Sequence, residues 1–437
     1  MEYYKFSQYN IVVGSDEQYT ILYNSYSGGI IKLENETYRQ LTESKNVDKD
    51  ALYAKELIEN GFFVNSKVDE YQKVKLQLEQ AINGSHQTTI SYTIAPTLAC
   101  NMNCIYCFEK AQRQNNKNSL ITEEMLDKIL SFILRRTQDN RNVQNIKIIW
   151  FGGEPLLCYE QMVLFGKKLK IELSKRNIGL ITSIITNGAL LDESKLQVLT
   201  NELDLKRLQI TLDGEEETYC HKKQTDSKVY KKVLKNVCLA TNYVKTVIRF
   251  NADKSNYEEI KKVALSLCNS KLKKENLFFH FAQLSNYNHD PEGSYFDDYE
   301  YWKYKIDFYD ALKNKGNYIN IKINKVRSFS PRPFCGIALK SNFVIDYNGN
   351  LYKCEHQIGQ ENKTVGNISD GIYYNSTYRE AVVIPDIERC QSCNIFPVCN
   401  YAQCTIMQEL TGGNNCECYD KQLSAIKQIA INYKEVR

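Results

Sequence analysis

Apolar and polar positions divide this chain into three stretches of different rhythm. In the first, residues 1–85, strands are expected near Asn10–Val13, Tyr19–Tyr23 and Gly28–Leu33, helices near Glu36–Thr42 and Asp50–Glu59, and a closing strand at Phe62–Val64. That order suits a small winged-helix-like module, and Tyr71–Asn83 reads as a polar linker helix. In residues 86–318 the rhythm becomes strand, helix, strand, helix. Strands are expected at Thr89–Ile94, Ile146–Trp150, Ile181–Ile185, Arg207–Leu212, Val244–Asn251 and Leu277–Gln283. Helices are expected at Thr122–Arg136, Tyr159–Lys175, Asp192–Asn201, Tyr230–Asn242 and Tyr257–Asn269, with another near Asp297–Lys313. Repeated βα units predict a parallel sheet with helices outside it. Six are too few for a closed eight-unit barrel, so the α/β class narrows to an open, partial (β/α)6 TIM-like barrel with its chemistry at the C-terminal ends of the strands. Residues 319–437 have weak periodicity and many turns, apart from a helix near Gln422–Tyr433.

Composition narrows the function. A hydrophobic share of 43% is enough for a real core. With 56 basic against 52 acidic residues, the net charge of +4 argues against a dedicated nucleic-acid binder. The longest apolar runs, such as Gly179–Ile185, are far shorter than a membrane span, and the opening MEYYKFSQYN has no signal-peptide pattern. A cytoplasmic protein without membrane or nucleic-acid partners is therefore expected. The 15 cysteines are then the central feature, because a reducing cytoplasm disfavours structural disulfides and thiol-rich chains there more often bind metal.

Cys100-Asn-Met-Asn-Cys104-Ile-Tyr-Cys107 directly follows the first barrel strand. At this cysteine content the spacing would arise by chance only ~0.02 times. Thiolates bind iron–sulfur clusters, most cubanes use four of them, and only three are local here; the fourth iron would be open to an outside ligand. A zinc site, which would want a fourth ligand nearby, and simple buried thiols are the alternatives.

This motif resembles the radical S-adenosylmethionine (SAM) superfamily, whose CxxxCxxC loop holds a [4Fe–4S] cluster with SAM on the open iron. Gly152-Gly153-Glu154-Pro155 after the second strand resembles the family segment that meets the SAM amino group; glycines permit close approach and a carboxylate accepts from an ammonium. Thr186-Asn187-Gly188 after the third strand resembles the ribose-contacting segment. Asp213-Gly214 follows the fourth strand, and Arg249 and Asn251 on the fifth could reach the SAM carboxylate and ribose, an ordinary ion pair or turn cap being an equal reading for Asp213, Arg249 and Asn251. Tyr106 and Phe108 flank Cys107, where the family places adenine. Related maturases carry His-Asn/Asp and basic residues after the fourth strand; this chain has Tyr219-Cys220-His221-Lys222-Lys223, to which no catalytic role is assigned. Cys158, Cys220, Cys238 and Cys268 read as ordinary buried or part-buried thiols.

The remaining cysteines run Cys335, Cys354, then Cys390-x2-Cys393-x5-Cys399-x4-Cys404, then Cys416 and Cys418. This resembles the SPASM domain, which binds two auxiliary [4Fe–4S] clusters, although the family usually has three residues rather than four before the last cysteine of the dense run; a zinc ribbon is the alternative for that run. By the resemblance, Cys335, Cys354 and Cys404 hold one cluster, and Cys390, Cys393, Cys399 and either Cys416 or Cys418 hold the other. The remaining one of that pair completes the first cluster, or its iron stays open. Tyr23–Leu33 resembles the opening of radical SAM/SPASM peptide maturases, in which a winged-helix element captures a leader peptide by strand addition. The resemblance implies three [4Fe–4S] clusters, SAM, a low-potential donor such as flavodoxin or ferredoxin, and a precursor peptide with a leader. The expected reaction is reductive cleavage of SAM to a 5′-deoxyadenosyl radical that installs a thioether or carbon–carbon cross-link. The alternatives are a sulfatase-maturing type of enzyme, which oxidises a Cys or Ser side chain, and a plain electron carrier.

Overall fold

The computed structural model describes residues 3–43, 47–48, 54–83, 88–115, 120–138, 142–270, 272–285, 293–313, 329–330, 335–384, 386–399, 423 and 426–427. The N-terminal unit contains β1 (Tyr3–Phe6), β2 (Asn10–Ser15), β3 (Tyr19–Asn24), β4 (Ile30–Glu34), α1 (Asn35–Glu43), β5 (Val47–Asp48), α2 (Ala54–Glu59), β6 (Phe63–Asn65) and α3 (Glu70–Asn83). It makes two three-stranded antiparallel sheets, β5-β1-β6 and β2-β3-β4. The short β1 and β5 left no recognisable pattern in the sequence.

The helix α3 is not the polar linker its composition suggests. Tyr71, Val74, Leu78 and Ile82 recur every three or four residues and are all buried in the main core. The stripe is narrow, and the charged residues between its members hid it.

The barrel follows, with β7 (Thr89–Ile94), α4 (Lys110–Asn115), α5 (Glu123–Gln138), β8 (Asn145–Trp150), α6 (Tyr159–Ser174), β9 (Gly179–Thr186), α7 (Glu193–Asn201), β10 (Leu205–Thr211), α8 (Glu216–Lys223), α9 (Ser227–Ala240), β11 (Lys245–Ala252), α10 (Tyr257–Asn269), β12 (Leu277–Gln283) and α11 (Asp298–Lys313). Neighbours from β7 to β12 are parallel and in sequence order. Alternate strand residues such as Ile146, Ile148 and Trp150 are buried on the helix side, where Trp150 meets Phe165 of α6 edge to face at 5.7 Å. Asp192 and Asp226 cap α7 and α9 through their side chains, which fixes where these helices leave the strand ends.

The sheet does not stop at six strands. β13 (Phe343–Ile345) adds in parallel to β7, and β14 (Asn350–Tyr352), β15 (Gly366–Asn367) and β16 (Gly371–Ile372) continue it antiparallel, giving ten strands. The C-terminal region is thus an extension of the barrel sheet, followed by α12 (Ser376–Val382) and α13 (Glu388–Gln391). Most of the helix expected at Gln422–Tyr433 lies outside the described residues. No helix among the described residues is long and apolar enough to cross a membrane.

Candidate active site

The loop between β7 and α4 carries the first three cysteines over the C-terminal ends of the strands. Cys100, Cys104 and Cys107 border one cavity of about 320 Å³ together with Tyr106, Phe108, Gly152, Gly153, Thr186, Asn187, Arg249 and Asn251. Segments far apart in sequence converge because each follows a parallel strand. Phe108 lies nearly parallel to Phe151 at 6.3 Å and packs on His356 at 4.2 Å, so aromatic rings form one wall.

Two expected contact residues sit beneath the cavity rather than on it. Glu154 is fully buried, and its carboxylate accepts from Leu156 N (3.0 Å), Thr186 Oγ1 (2.7 Å) and Asn187 N (2.9 Å). It therefore fastens the second strand-end loop to the third. Burial pushes its pKa up to about 7 against those hydrogen bonds. Gly152 and Gly153 owe their identity to the cysteine loop: a Cβ on Gly152, which has φ +103°, would meet Thr97 O at 2.4 Å, and one on Gly153 would meet Ala99 O at 2.2 Å.

Asp213, also fully buried, accepts a short hydrogen bond from the Tyr106 hydroxyl and one from Asn251 N at 2.9 Å, and pairs with Lys223 at 2.9 Å. Burial opposes the Lys223 charge, but Asp213 overrides it and holds the ammonium well above its ordinary range. The neighbouring Lys222 pairs with Asp253 at 2.5 Å, also out of water. The carbonyls of this dipeptide accept from the cysteine loop, Ile105 N to Lys222 O at 3.0 Å and Asn103 N to Lys223 O at 3.2 Å. The last turn of α8 is thus a clamp on the loop. Sequence reasoning left Lys222 and Lys223 without a role; two lysines closing a helix usually just complement its dipole in solvent.

Arg113 was also missed. It stands on α4 with Nη2 donating to Met102 O at 2.7 Å and Nη1 facing Cys107 Sγ at 3.7 Å. Asn187 Nδ2 lies 3.9 Å from Cys100 Sγ. Burial pushes the Cys100 thiol up to about 12, so ligation or a nearby cation is needed to keep a thiolate there. Among the described residues no three His, Cys, Asp or Glu side chains meet tightly enough to hold a single metal ion. The donor set fits an iron–sulfur cubane: three soft sulfur donors of one loop border the cavity, with the Arg113 guanidinium beside Cys107.

Residues 94–267 match the Radical SAM superfamily. The chain carries a radical SAM domain. Similar curated proteins include the cysteine-type anaerobic sulfatase-maturating enzyme of Clostridium novyi (strain NT), 25% identical over 342 residues, covering 71% of this chain and 87% of that one. The radical SAM cyclopropyl synthase TigE of Paramaledivibacter caminithermalis is 24% identical over 217 residues, 42% of this chain and 44% of TigE. Among solved structures, native anSMEcpe with bound AdoMet and Cp18Cys peptide has a TM-score of 0.60 at 20% identity, covering 80% of this chain and 100% of that one. Streptococcus suis SuiB bound to precursor peptide SuiA has a TM-score of 0.54 at 16% identity, covering 92% and 95%. The radical SAM family implies SAM and one [4Fe–4S] cluster.

The other predicted ligands are distributed over the C-terminal region. Cys335 and Cys354 each directly precede a 3-10 turn and pack against the main core, with Lys353 between their loops donating to Leu339 O and Asn342 O at 2.6 and 2.7 Å. Cys390, Cys393 and Cys399 share one turn-rich segment, where Cys393 N donates to Cys390 O at 3.3 Å. Cys404, Cys416 and Cys418 lie outside the described residues. Cys158 and Cys268 are buried, and Cys220 and Cys238 partly so, as expected of ordinary thiols.

Proposed function

We propose that this protein is a radical SAM enzyme that cross-links a ribosomally made precursor peptide through a thioether or carbon–carbon bond. The observation that carries the reading is the single cavity in which the three loop cysteines meet the ends of four parallel strands and the C-terminal His356. Cys100, Cys104 and Cys107 would hold the cluster, and Thr186, Asn187, Arg249 and Asn251 would surround SAM. When bound, these groups supply a low-potential electron and a 5′-deoxyadenosyl radical able to take hydrogen from an unactivated carbon. The chain's own part is positional. Lys222 and Lys223 hold the loop down, Arg113 offsets thiolate charge, and Phe108, Phe151 and His356 keep water from one side of the cavity.

Cys335, Cys354 and Cys404, with Cys390, Cys393, Cys399 and one or both of Cys416 and Cys418, would hold two auxiliary clusters. The N-terminal unit would receive the leader, with an electron donor such as flavodoxin or ferredoxin acting on the first cluster. The sulfatase-maturing alternative is favoured by the name of the Clostridium novyi relative. The peptide-maturase reading draws on the SuiB likeness, which spans 92% of this chain against 80% for anSMEcpe. Anaerobic incubation with SAM, dithionite and the peptide encoded beside this gene should yield 5′-deoxyadenosine and a peptide lighter by two hydrogen atoms with a new internal cross-link. Cys104→Ala should yield neither. Deoxyadenosine from the variant, or a sulfatase peptide processed in preference, would refute the reading.

A further inference from the structure

The inner face of the barrel below the cavity carries positive charge that has no acidic partner among the described residues. Ile146, Ile148, Leu208, Ile210, Ile248 and Phe250 are buried on the helix side of β8, β10 and β11. Side chains alternate along a strand, so Lys147, Arg207 and Arg249 face the other way, into the barrel. Gln209 and Thr211, on the same side of β10 as Arg207, line the cavity, as does Arg249. Lys147 and Arg207 themselves lie lower, toward the N-terminal ends of β8 and β10.

Among the described residues none of these three cations has a carboxylate within ion-pair distance, whereas Lys222 and Lys223 nearby are both paired. The fixed hydrogen bonds are to amides: Arg207 Nη2 to Gln209 Oε1 at 3.1 Å and Arg249 Nε to Asn251 Oδ1 at 2.8 Å. The inward positions of β7 to β12 carry no Asp or Glu. The two carboxylates that border the cavity stand on loops, Glu109 after Cys107 and Glu355 against Thr93 of β7 at 3.2 Å. The cations also act on one another: burial and Arg207 lower the affinity of Lys147 for its proton, and partial desolvation and Arg249 do the same to Arg207, which stays open to solvent. A concave surface that gathers like charges and excludes their counter-ions favours an anionic guest.

We propose that this inner face receives a carboxylate-bearing segment of the substrate peptide, with Lys147 and Arg207 binding its Asp or Glu side chains below the radical site. The proposal rests on the peptide-modifying reading above and adds the chemistry of the segment presented. Arg207 offers a planar fork to a carboxylate and Lys147 a point charge, so the two would fix both the orientation and the depth of an acidic side chain.

The test uses the full-length, cluster-reconstituted enzyme with SAM and two fluorescein-labelled probes, hexaglutamate and hexaglutamine, at low salt. Hexaglutamate should bind at least about tenfold tighter. Lys147→Gln and Arg207→Gln should each lose most of that preference while SAM cleavage without peptide stays at the wild-type rate, since neither residue borders the cavity. Lys206→Gln, the neighbouring lysine at the bulge of β10 that already has a carboxylate partner in Asp204, should leave the preference intact. Equal binding of both probes by wild-type enzyme that cleaves SAM would overturn the anion site and leave the radical reading standing. An equal loss in Lys206→Gln would overturn it too, by reducing the effect to net charge. Failure of wild-type enzyme to cleave SAM would overturn both readings.

Discussion

Lys223→Met tests whether the helix after the fourth barrel strand holds the cysteine loop in place. The Lys223 and Asp213 side chains are 5% and 0% exposed and lie 2.9 Å apart. Removing one partner of a buried pair costs about 3–5 kcal/mol, because the other charge stays behind in a medium that solvates it poorly. Asp213 would keep the Tyr106 hydroxyl and Asn251 N as donors, so the lower end applies, about 3 kcal/mol. Two loop amides report the effect directly, since Asn103 N and Ile105 N donate to the carbonyls of Lys223 and Lys222. At about 1.4 kcal/mol per decade, their hydrogen-exchange protection should fall roughly a hundredfold, while amides of β8 keep theirs. Asp213→Asn combined with Lys223→Met removes both charges and should recover at least about half of the loss, giving a coupling energy of more than about 1 kcal/mol. Exchange at Asn103 and Ile105 within about threefold of wild type in Lys223→Met, or strictly additive single effects, would show that the pair does not hold the loop.

Two further perturbations act on the second strand-end loop. In Gly153→Ala the new Cβ would meet the backbone oxygens of Ala99 and Leu98 at 2.2 and 2.4 Å, so the segment leading into Cys100 must move. The cost should be about 1–3 kcal/mol, and iron bound per chain after reconstitution should fall, whereas full iron loading would contradict the tight approach. Glu154 has a pKa raised by burial to about 7 from an ordinary 4.5. The folded protein therefore prefers the protonated acid, so this group's contribution is most favourable below pH 4.5 and is lost as the pH rises to 7 and beyond, by an upper bound of about 3 kcal/mol. Glu154→Gln removes that dependence, and its thermal midpoint should fall furthest below wild type at pH 5 and least at pH 8. A pH-independent gap would rule out the titration.

The barrel was legible in the sequence because each parallel strand leaves a short apolar run, and the expected Thr89–Ile94 and Leu277–Gln283 coincide with β7 and β12. The cavity was legible because its parts follow strand ends, where motif spacing reports position. Residues that act through tertiary contacts left no such trace. Nothing local distinguishes Lys223 from a solvent-facing lysine at a helix end; only the fold brings Asp213 and Tyr106 against it. The contacts of Glu154 with Thr186 and Asn187 were hidden for the same reason, since they cross to a different strand end. The position of β13 beside β7 depends on a pairing about 250 residues apart, Phe343 with Tyr92, that no local pattern encodes.

That long-range pairing, and the packing at the other end of the chain, tie the N-terminal and C-terminal residues to the rest of the molecule. Ile11, Val13, Ile21 and Tyr23 of the N-terminal sheet share one apolar cluster with Ile395, Val398 and Ile426. Around it, Tyr71 stacks at a tilt on Phe396 at 5.0 Å and donates to Asp386 at 3.0 Å, and Gln8 reaches Gln391 O at 3.1 Å. Cys393 packs into that same cluster, so the N-terminal unit forms part of the environment of a predicted auxiliary ligand. A module joined only by a flexible linker could bind a peptide without disturbing the rest of the chain. A module whose sheet buries the walls of a cysteine loop cannot shift without changing that loop's packing and access to water, and these are the factors that tune an iron–sulfur centre.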